Sequence, residues 1–250
     1  MNERVATATP SYEGAENLEV MLAAENYNEF LTNLVARWCG LKHQLLDFGA
    51  GTGTFARMLR DKGYEVYCVE LDQAQAHSLK VQAFRTATST DGIPDNSIKY
   101  IYTLNVLEHI DDDQSQINEF YRILAPCGIV IAYVPAFKRL FGAMDRKVGH
   151  FRRYTRRNLC GLFRQAGFEI LELTYADSLG FFVTLVFNQF SRSDGVLKQS
   201  SVRFYDRVIF PASRLCDLVF SKLFGKNVYV VAKKPDSSAK LSLREWDENT

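Results

Sequence analysis

Apolar and polar positions follow two rhythms along this chain. Leu31, Leu34, Val35 and Trp38 recur at intervals of three, four and seven, the spacing that lines one face of a helix. Residues 44–48 (QLLDF) are short, apolar and followed by glycines, which predicts a buried strand. Phe55, Met58 and Leu59 then open a helical face. Strands are predicted at 64–70, 84–88 and 98–104, the second of these weakly patterned, with a helix over 73–83. Acids at 111–113 can cap a helix whose inner side is Ile117, Phe120, Tyr121 and Leu124, with Pro126 and Gly128 as its stop. Residues 128–134 predict a fifth strand. Thr155 can cap a helix that turns Leu159, Leu162, Phe163 and Ala166 inward and ends at Gly167. Strands at 168–175 and 227–234 bring the number to seven.

Regular alternation of strands and helices forces parallel pairing, because each helix carries the chain back across the sheet. A doubly wound α/β sheet is the expected class. At 250 residues the chain suits one sizeable domain. Its expected span is 17–234, between polar tails at 1–16 and 235–250, with an insertion or cap at 176–226 before the last strand. That insertion carries an aromatic run (LGFFVTLVFNQF) and, past Pro211, a helical stripe of Leu215, Leu218, Val219 and Leu223. A substrate cap, a homodimer face, contact with a membrane surface and plain core packing all remain open for it.

Composition narrows the surroundings. A net charge of +1 predicts no global attraction to nucleic acid or to anionic membranes. Cys39, Cys68, Cys127, Cys160 and Cys216 are scattered and odd in number, which fits a reducing compartment and neither a disulfide framework nor a zinc site. The N-terminal residues lack the apolar stretch of a leader, and the most apolar run, 179–190, is well short of the roughly 20 residues a membrane span needs. A cytoplasmic location without a transmembrane segment is the expectation.

The densest chemistry lies in Asp47-Phe48-Gly49-Ala50-Gly51-Thr52-Gly53. Glycines at alternate positions, after a strand and before a helix, let the backbone bend sharply and let a ligand approach it. Dinucleotide sites use G-x-G-x-x-G with the pyrophosphate on the helix N-terminus. Here the spacing is G-x-G-x-G and Asp47 stands two places before the first glycine, where it would repel a pyrophosphate and attract an ammonium group. Glu70 ends the second strand 17 residues beyond Gly53, placed to accept hydrogen bonds from ribose hydroxyls.

DFGAGTG resembles the signature loop of class I S-adenosylmethionine (SAM)-dependent methyltransferases, and Asn105-Val106-Leu107-Glu108-His109-Ile110 resembles their N-x-L-E-H-I segment. The resemblance spans roughly residues 40–175. It implies a Rossmann-like sheet of seven strands with the last one antiparallel, and SAM as cofactor. It implies further that Asp47, Gly49, Ala50, Gly51 and Gly53 hold the methionine end, that Glu70 holds the ribose, and that Leu71 lies against the adenine. Asn105 and Val106 would lie beside the methionine, and Tyr27 would close over its carboxylate. Many members place an acid after the third strand; none stands there in this chain, which leaves backbone amides or the Thr88 hydroxyl for the adenine.

Residues 138–157 carry eight Lys or Arg against one acid, Asp145. Its centre, His150-Phe151-Arg152-Arg153-Tyr154-Thr155, resembles the family's H-x-R-x-Y/F-[ST] stretch. Arg152 and Arg153 could recognise an anionic acceptor through paired guanidinium contacts, or the run could be a solvated helix start. Phe181 and its aromatic neighbours would suit an apolar acceptor. The sulfonium methyl is electrophilic, so transfer is an in-line displacement that needs alignment above all. A hydroxyl acceptor gains from a base, for which His150 comes first, then His109 and Tyr154. No acidic metal cluster is visible, so a metal-independent methyltransferase acting on a small molecule is expected, O-transfer ahead of C- or N-transfer. The alternatives are a SAM-binding regulatory or partner subunit without transfer activity, and a nicotinamide-dependent oxidoreductase.

Overall fold

The computed structural model describes residues 20, 22–190 and 199–236. The expected tail at 1–16, and that at 235–250 apart from Pro235 and Asp236, lie outside the described residues. The order is α1 (Glu25–Trp38), β1 (Leu45–Phe48), α2 (Thr54–Asp61), β2 (Val66–Val69), α3 (Gln73–Val81), β3 (Arg85–Ala87), β4 (Ile98–Leu104) and α4 (Asp113–Ile123). There follow β5 (Leu124–Pro135), α5 (Ala143–Lys147), α6 (Arg156–Gln165), β6 (Glu169–Ala176), α7 (Ser178–Phe190), α8 (Gln199–Phe204), α9 (Phe210–Phe220) and β7 (Asn227–Lys233).

The seven strands form one sheet in the order β3-β2-β1-β4-β5-β7-β6. Strands β1 to β5 pair in parallel, and β7 runs antiparallel to both β5 and β6. Asp112 and Thr155 accept from the backbone N–H groups of Ser115 and Asn158, so both expected caps form. Helices α1 to α3 cover one face with Leu31, Val35, Ala56, Leu59 and Leu79, while α4 and α6 cover the other with Ile117, Phe120, Leu159 and Phe163. Burial on both faces explains why β1 and β2 are apolar runs without alternation. The chain leaves β1 toward β2 and returns on the opposite side at β4. That reversal opens a crevice at the carboxyl ends of β1 and β4.

The sequence pattern mislays the start of β5. The strand begins at Leu124, straight after α4, and contains Pro126 and Gly128. Its register with β4 jumps between the pairs Ile98–Leu124 and Tyr100–Ile129, so the proline sits in a bulge where no ladder N–H is needed.

The insertion departs further from expectation. On α9 and the turn after it, the stripe of Leu215, Leu218, Val219 and Leu223 faces outward, so plain core packing does not account for it. The inward side is instead anchored by polar residues. Asp217 accepts from the N–H groups of Asp177 (3.0 Å) and Ser178 (2.8 Å), which fastens the start of α7. Asp206, in the π-turn between α8 and α9, accepts from the N–H groups of Asn26 and Tyr27, both at 2.9 Å. It therefore supplies the cap that Ala24 cannot provide to α1. No helix of the described residues is long and apolar enough to cross a membrane.

Candidate active site

The turn after β1 is built on three left-handed glycines, with φ of 79° at Gly49, 55° at Gly51 and 81° at Gly53. A side chain at Gly49 would put its Cβ 2.4 Å from Val106 Cγ2. The backbone conformation and the tight approach both demand glycine there. Gly49→Ala should therefore destabilise the fold by about 2–5 kcal/mol, read as a fall in Tm of roughly 5–15 °C by calorimetry. A Tm unchanged within error would mean that Val106 gives way freely.

Asp47 lies in β1, between Cys68 of β2 and Tyr102 of β4. It is buried, and its Oδ2 has no hydrogen-bond partner among the described residues. Burial pushes its carboxyl up to about 7. An acid kept in so costly a place is poised for a cation. Glu70, just past β2, accepts from the N–H of Gly51 at 2.7 Å and from the N–H of Asp72 at 3.0 Å. These bonds aim the carboxylate along the glycine turn and leave lone pairs for hydroxyl donors.

The remaining crevice positions cluster around these acids. Ala50 is buried under the turn, and Leu71 is exposed beside Glu70. Thr88 is exposed just past β3, whose last residue, Ala87, accepts from the N–H of Glu70 at 2.9 Å. Val106 packs beneath Gly49 rather than standing in the open. Asn105 adopts a φ of 57°, donates its backbone N–H to Tyr133 O at 2.7 Å, and reaches the Tyr27 hydroxyl with its side chain at 3.3 Å. The structure thus brings α1 to the rim of the crevice through Tyr27.

A second cluster forms where the turn after β4 meets the basic segment. His150 Nδ1 lies 2.7 Å from Asp145 Oδ1, and its side chain keeps 14% exposure. Burial opposes ionisation of Asp145, but hydrogen bonds from His150, Arg153 and the Gly142 N–H outweigh it and hold the pKa to about 2. His150 Nε2 faces Glu108 Oε1 at 3.8 Å. Glu108 is fully buried, neither of its oxygens has a hydrogen bond among the described residues, and burial raises its pKa to about 8. His109 stacks edge-on against His150 at 4.5 Å, and burial lowers its pKa to about 4. His109 is therefore neutral near pH 7. Donor atoms of Glu108, His109 and His150 lie within 4.8 Å of one another, close enough to hold a divalent cation.

Three expectations change character. Tyr154 is buried, donating toward Asp113 Oδ2 at 2.8 Å and Leu107 O at 3.1 Å, and burial raises its pKa further above the ordinary range. A hydroxyl so committed is a brace, not a base. Arg152 is engaged by Asp111 and Asp113, and Arg153 by Asp145, so both guanidiniums already carry carboxylate partners within the chain. Phe181 stays in the frame, packed edge-on against Phe137 at 5.4 Å and beside Phe224 at 5.6 Å. Sequence reasoning gave no role to Asp145 and Glu108. The signals were present: the lone acid in a basic run, and an acid next to the histidine of N-x-L-E-H-I.

Comparison with known proteins bears on the family and the fold. Residues 18–173 match the family model described as a methyltransferase domain. A probable S-adenosylmethionine-dependent methyltransferase of Mycolicibacterium smegmatis is 26% identical over 172 residues, 64% of this chain and 65% of the relative. A malonyl-[acyl-carrier protein] O-methyltransferase of Enterobacter lignolyticus is 29% identical over 153 residues, 54% of this chain and 60% of the relative. The chain thus spans just under two thirds of the length of these curated relatives. The crystal structure of a SAM-dependent methyltransferase from Archaeoglobus fulgidus superposes with a TM-score of 0.61 at 15% identity, over 88% of this chain and all of that one. With more than half its length matched, the chain belongs to the methyltransferase domain family, in its class I, SAM-dependent form.

Proposed function

We propose that the protein transfers a methyl group from SAM to a small-molecule acceptor, with an oxygen nucleophile favoured. The observation that carries this reading is the buried, unpartnered Asp47 oxygen beneath three left-handed glycines. Asp47 would take the ammonium group of the methionine end, the glycine turn would let that end approach the backbone, and Glu70 would take the ribose hydroxyls. Leu71 and Thr88 would border the adenine, and Asn105 with Tyr27 would close the methionine side. When bound, SAM supplies an electrophilic methyl carbon. The protein's own share is alignment, exclusion of water and removal of the acceptor's proton.

His150 is the proposed base. With Nδ1–H directed to Asp145, its Nε2 carries the lone pair. Glu108 faces that Nε2 at 3.8 Å; with a pKa of about 8 it keeps its own proton near pH 7 and puts no second charge beside the imidazole. The relative from Enterobacter lignolyticus is by name an O-methyltransferase, which supports oxygen as the target. A cytoplasmic setting accords with five free cysteines, two of them buried.

The direct test is formation of S-adenosylhomocysteine from SAM across a panel of hydroxylated acceptors. Turnover that depends on acceptor supports an enzyme; tight SAM binding with no turnover on any acceptor supports a regulatory subunit. The orphaned Glu108 favours one further reading, in which a divalent cation sits between Glu108, His109 and His150. Turnover unaffected by exhaustive chelation sides with His150 as a base.

SAM affinity should depend on pH through Asp47. The free carboxyl is pushed up to about 7, and an ammonium partner would lower it. Binding therefore favours the ionised form, so affinity should fall as pH drops below 7, by up to about tenfold per unit. Titration calorimetry at pH 5.5 to 8 reads this directly. A flat profile, or an identical slope in Asp47→Asn, would remove Asp47 from the SAM site.

A further inference from the structure

The layer formed by α7, α8 and α9 turns a bulky apolar face outward. On α7, Phe182, Val183, Val186 and Phe187 are all exposed, and the helix has no charged residue. On α9 and the turn after it, Leu218 is 83% and Leu223 67% exposed. The two helices form one surface, because Phe224 lies 5.3 Å from Phe182 and 5.5 Å from Phe220. Apolar patches of this kind on soluble domains mark interaction sites.

Charge around the patch tells what it meets. Among the described residues of 178–226, both acids, Asp206 and Asp217, are buried and bonded inward. Arg203, Arg207 and Lys222 are exposed. The layer combines exposed bulky apolar side chains with exposed cations, as the boundary of an anionic bilayer asks, where acyl chains and phosphate headgroups lie a few ångströms apart. A second copy of this chain would bring like charges together, with no exposed acid among the described residues of this layer to offset them. A polynucleotide would satisfy the cations and leave Leu218 and Phe187 in water.

Position adds to this. Strand β6 runs parallel to β5, since both are antiparallel to β7, so α7 departs from the edge of the sheet where the glycine turn and Asn105 lie. Phe181 of α7 packs on Phe137, two residues past β5, and Asp206 fastens α1. The layer borders the crevice.

The geometry points to a peripheral membrane contact: the α7–α9 face docks on an anionic lipid surface and holds the mouth of the crevice toward it. An acceptor with an apolar tail would then reach the crevice from the bilayer. Docking stands apart from the methyl-transfer reading, because it is measured without SAM or acceptor.

The experiment is flotation of the full-length protein with vesicles of phosphatidylcholine containing about one third phosphatidylglycerol, against vesicles of phosphatidylcholine alone. The wild-type protein is expected to float with the anionic vesicles, at least about tenfold more weakly with the neutral ones, and to be released by salt. Leu218→Ser with Leu223→Ser, and separately Arg203→Glu with Arg207→Glu, should each weaken binding by at least about tenfold. Thermal stabilisation by SAM reports whether each variant is folded and is expected to match the wild type. No flotation of the wild type, or equal flotation of folded variants, overturns the proposal. So does a wild-type dimer in light scattering that Leu218→Ser turns into a monomer, which would assign the face to self-association.

Discussion

Asp47→Ala is expected to raise the Kd for SAM by roughly a hundredfold or more while leaving the protein folded. Removing one partner of a buried charge pair costs about 3–5 kcal/mol, and each 1.4 kcal/mol is a factor of ten. The same change should act in the opposite sense on the ligand-free protein. Burial pushes the Asp47 carboxyl up to about 7, so its ionised form is disfavoured in the ligand-free fold. Asp47→Asn relieves part of that and should raise the apo Tm while it destroys SAM binding. Calorimetry with and without SAM reads both effects. Concurrent loss of stability and binding would make Asp47 a structural residue, and retained binding would place SAM elsewhere. Glu70→Ala should weaken binding less, since Gly51 and Asp72 lose a shared acceptor but no buried charge is left behind.

The second large effect falls on His150. His150→Gln should lower kcat by about a hundredfold to ten-thousandfold, the usual contribution of a positioned base. SAM affinity should stay at the wild-type level, because His150 belongs to the cluster beyond β4 and not to the glycine turn. Asp145→Asn is expected to give a smaller loss with the same signature. Its carboxylate also anchors Arg153 and the Gly142 N–H, so its Tm must be measured alongside. A normal kcat in His150→Gln assigns proton removal to solvent or to the acceptor itself. A loss of SAM affinity equal to the loss of kcat makes the residue structural.

The parts of this molecule that were legible in its sequence share a physical property: their signals are local. The glycine turn, the acid before it and the caps at Asp112 and Thr155 are each written within a few residues. The pairing of Asp145 with His150 and the fate of the arginines were not. Asp145, His150 and Arg153 are neighbours in sequence, yet nothing in that spacing says that one carboxylate will receive both the imidazole and the guanidinium, or that Arg152 will turn back to Asp111 and Asp113. Those pairings depend on where the turn after β4 brings Glu108 and Asp113. The α9 stripe misled for a related reason. Helical periodicity shows that Leu215, Leu218, Val219 and Leu223 share a face but not which way the face points. Asp206 and Asp217 decided that, by committing the opposite side to backbone N–H groups across long stretches of chain.

The Asp206 cap has a consequence for how this molecule is made. Its partners, Asn26 and Tyr27, lie some 180 residues earlier. During synthesis the first helix must wait, its amide groups satisfied by water, until Asp206 has left the ribosome. A truncated product would keep most of its strands and still lack a fastened rim, so unfinished copies would be poor at retaining a nucleoside.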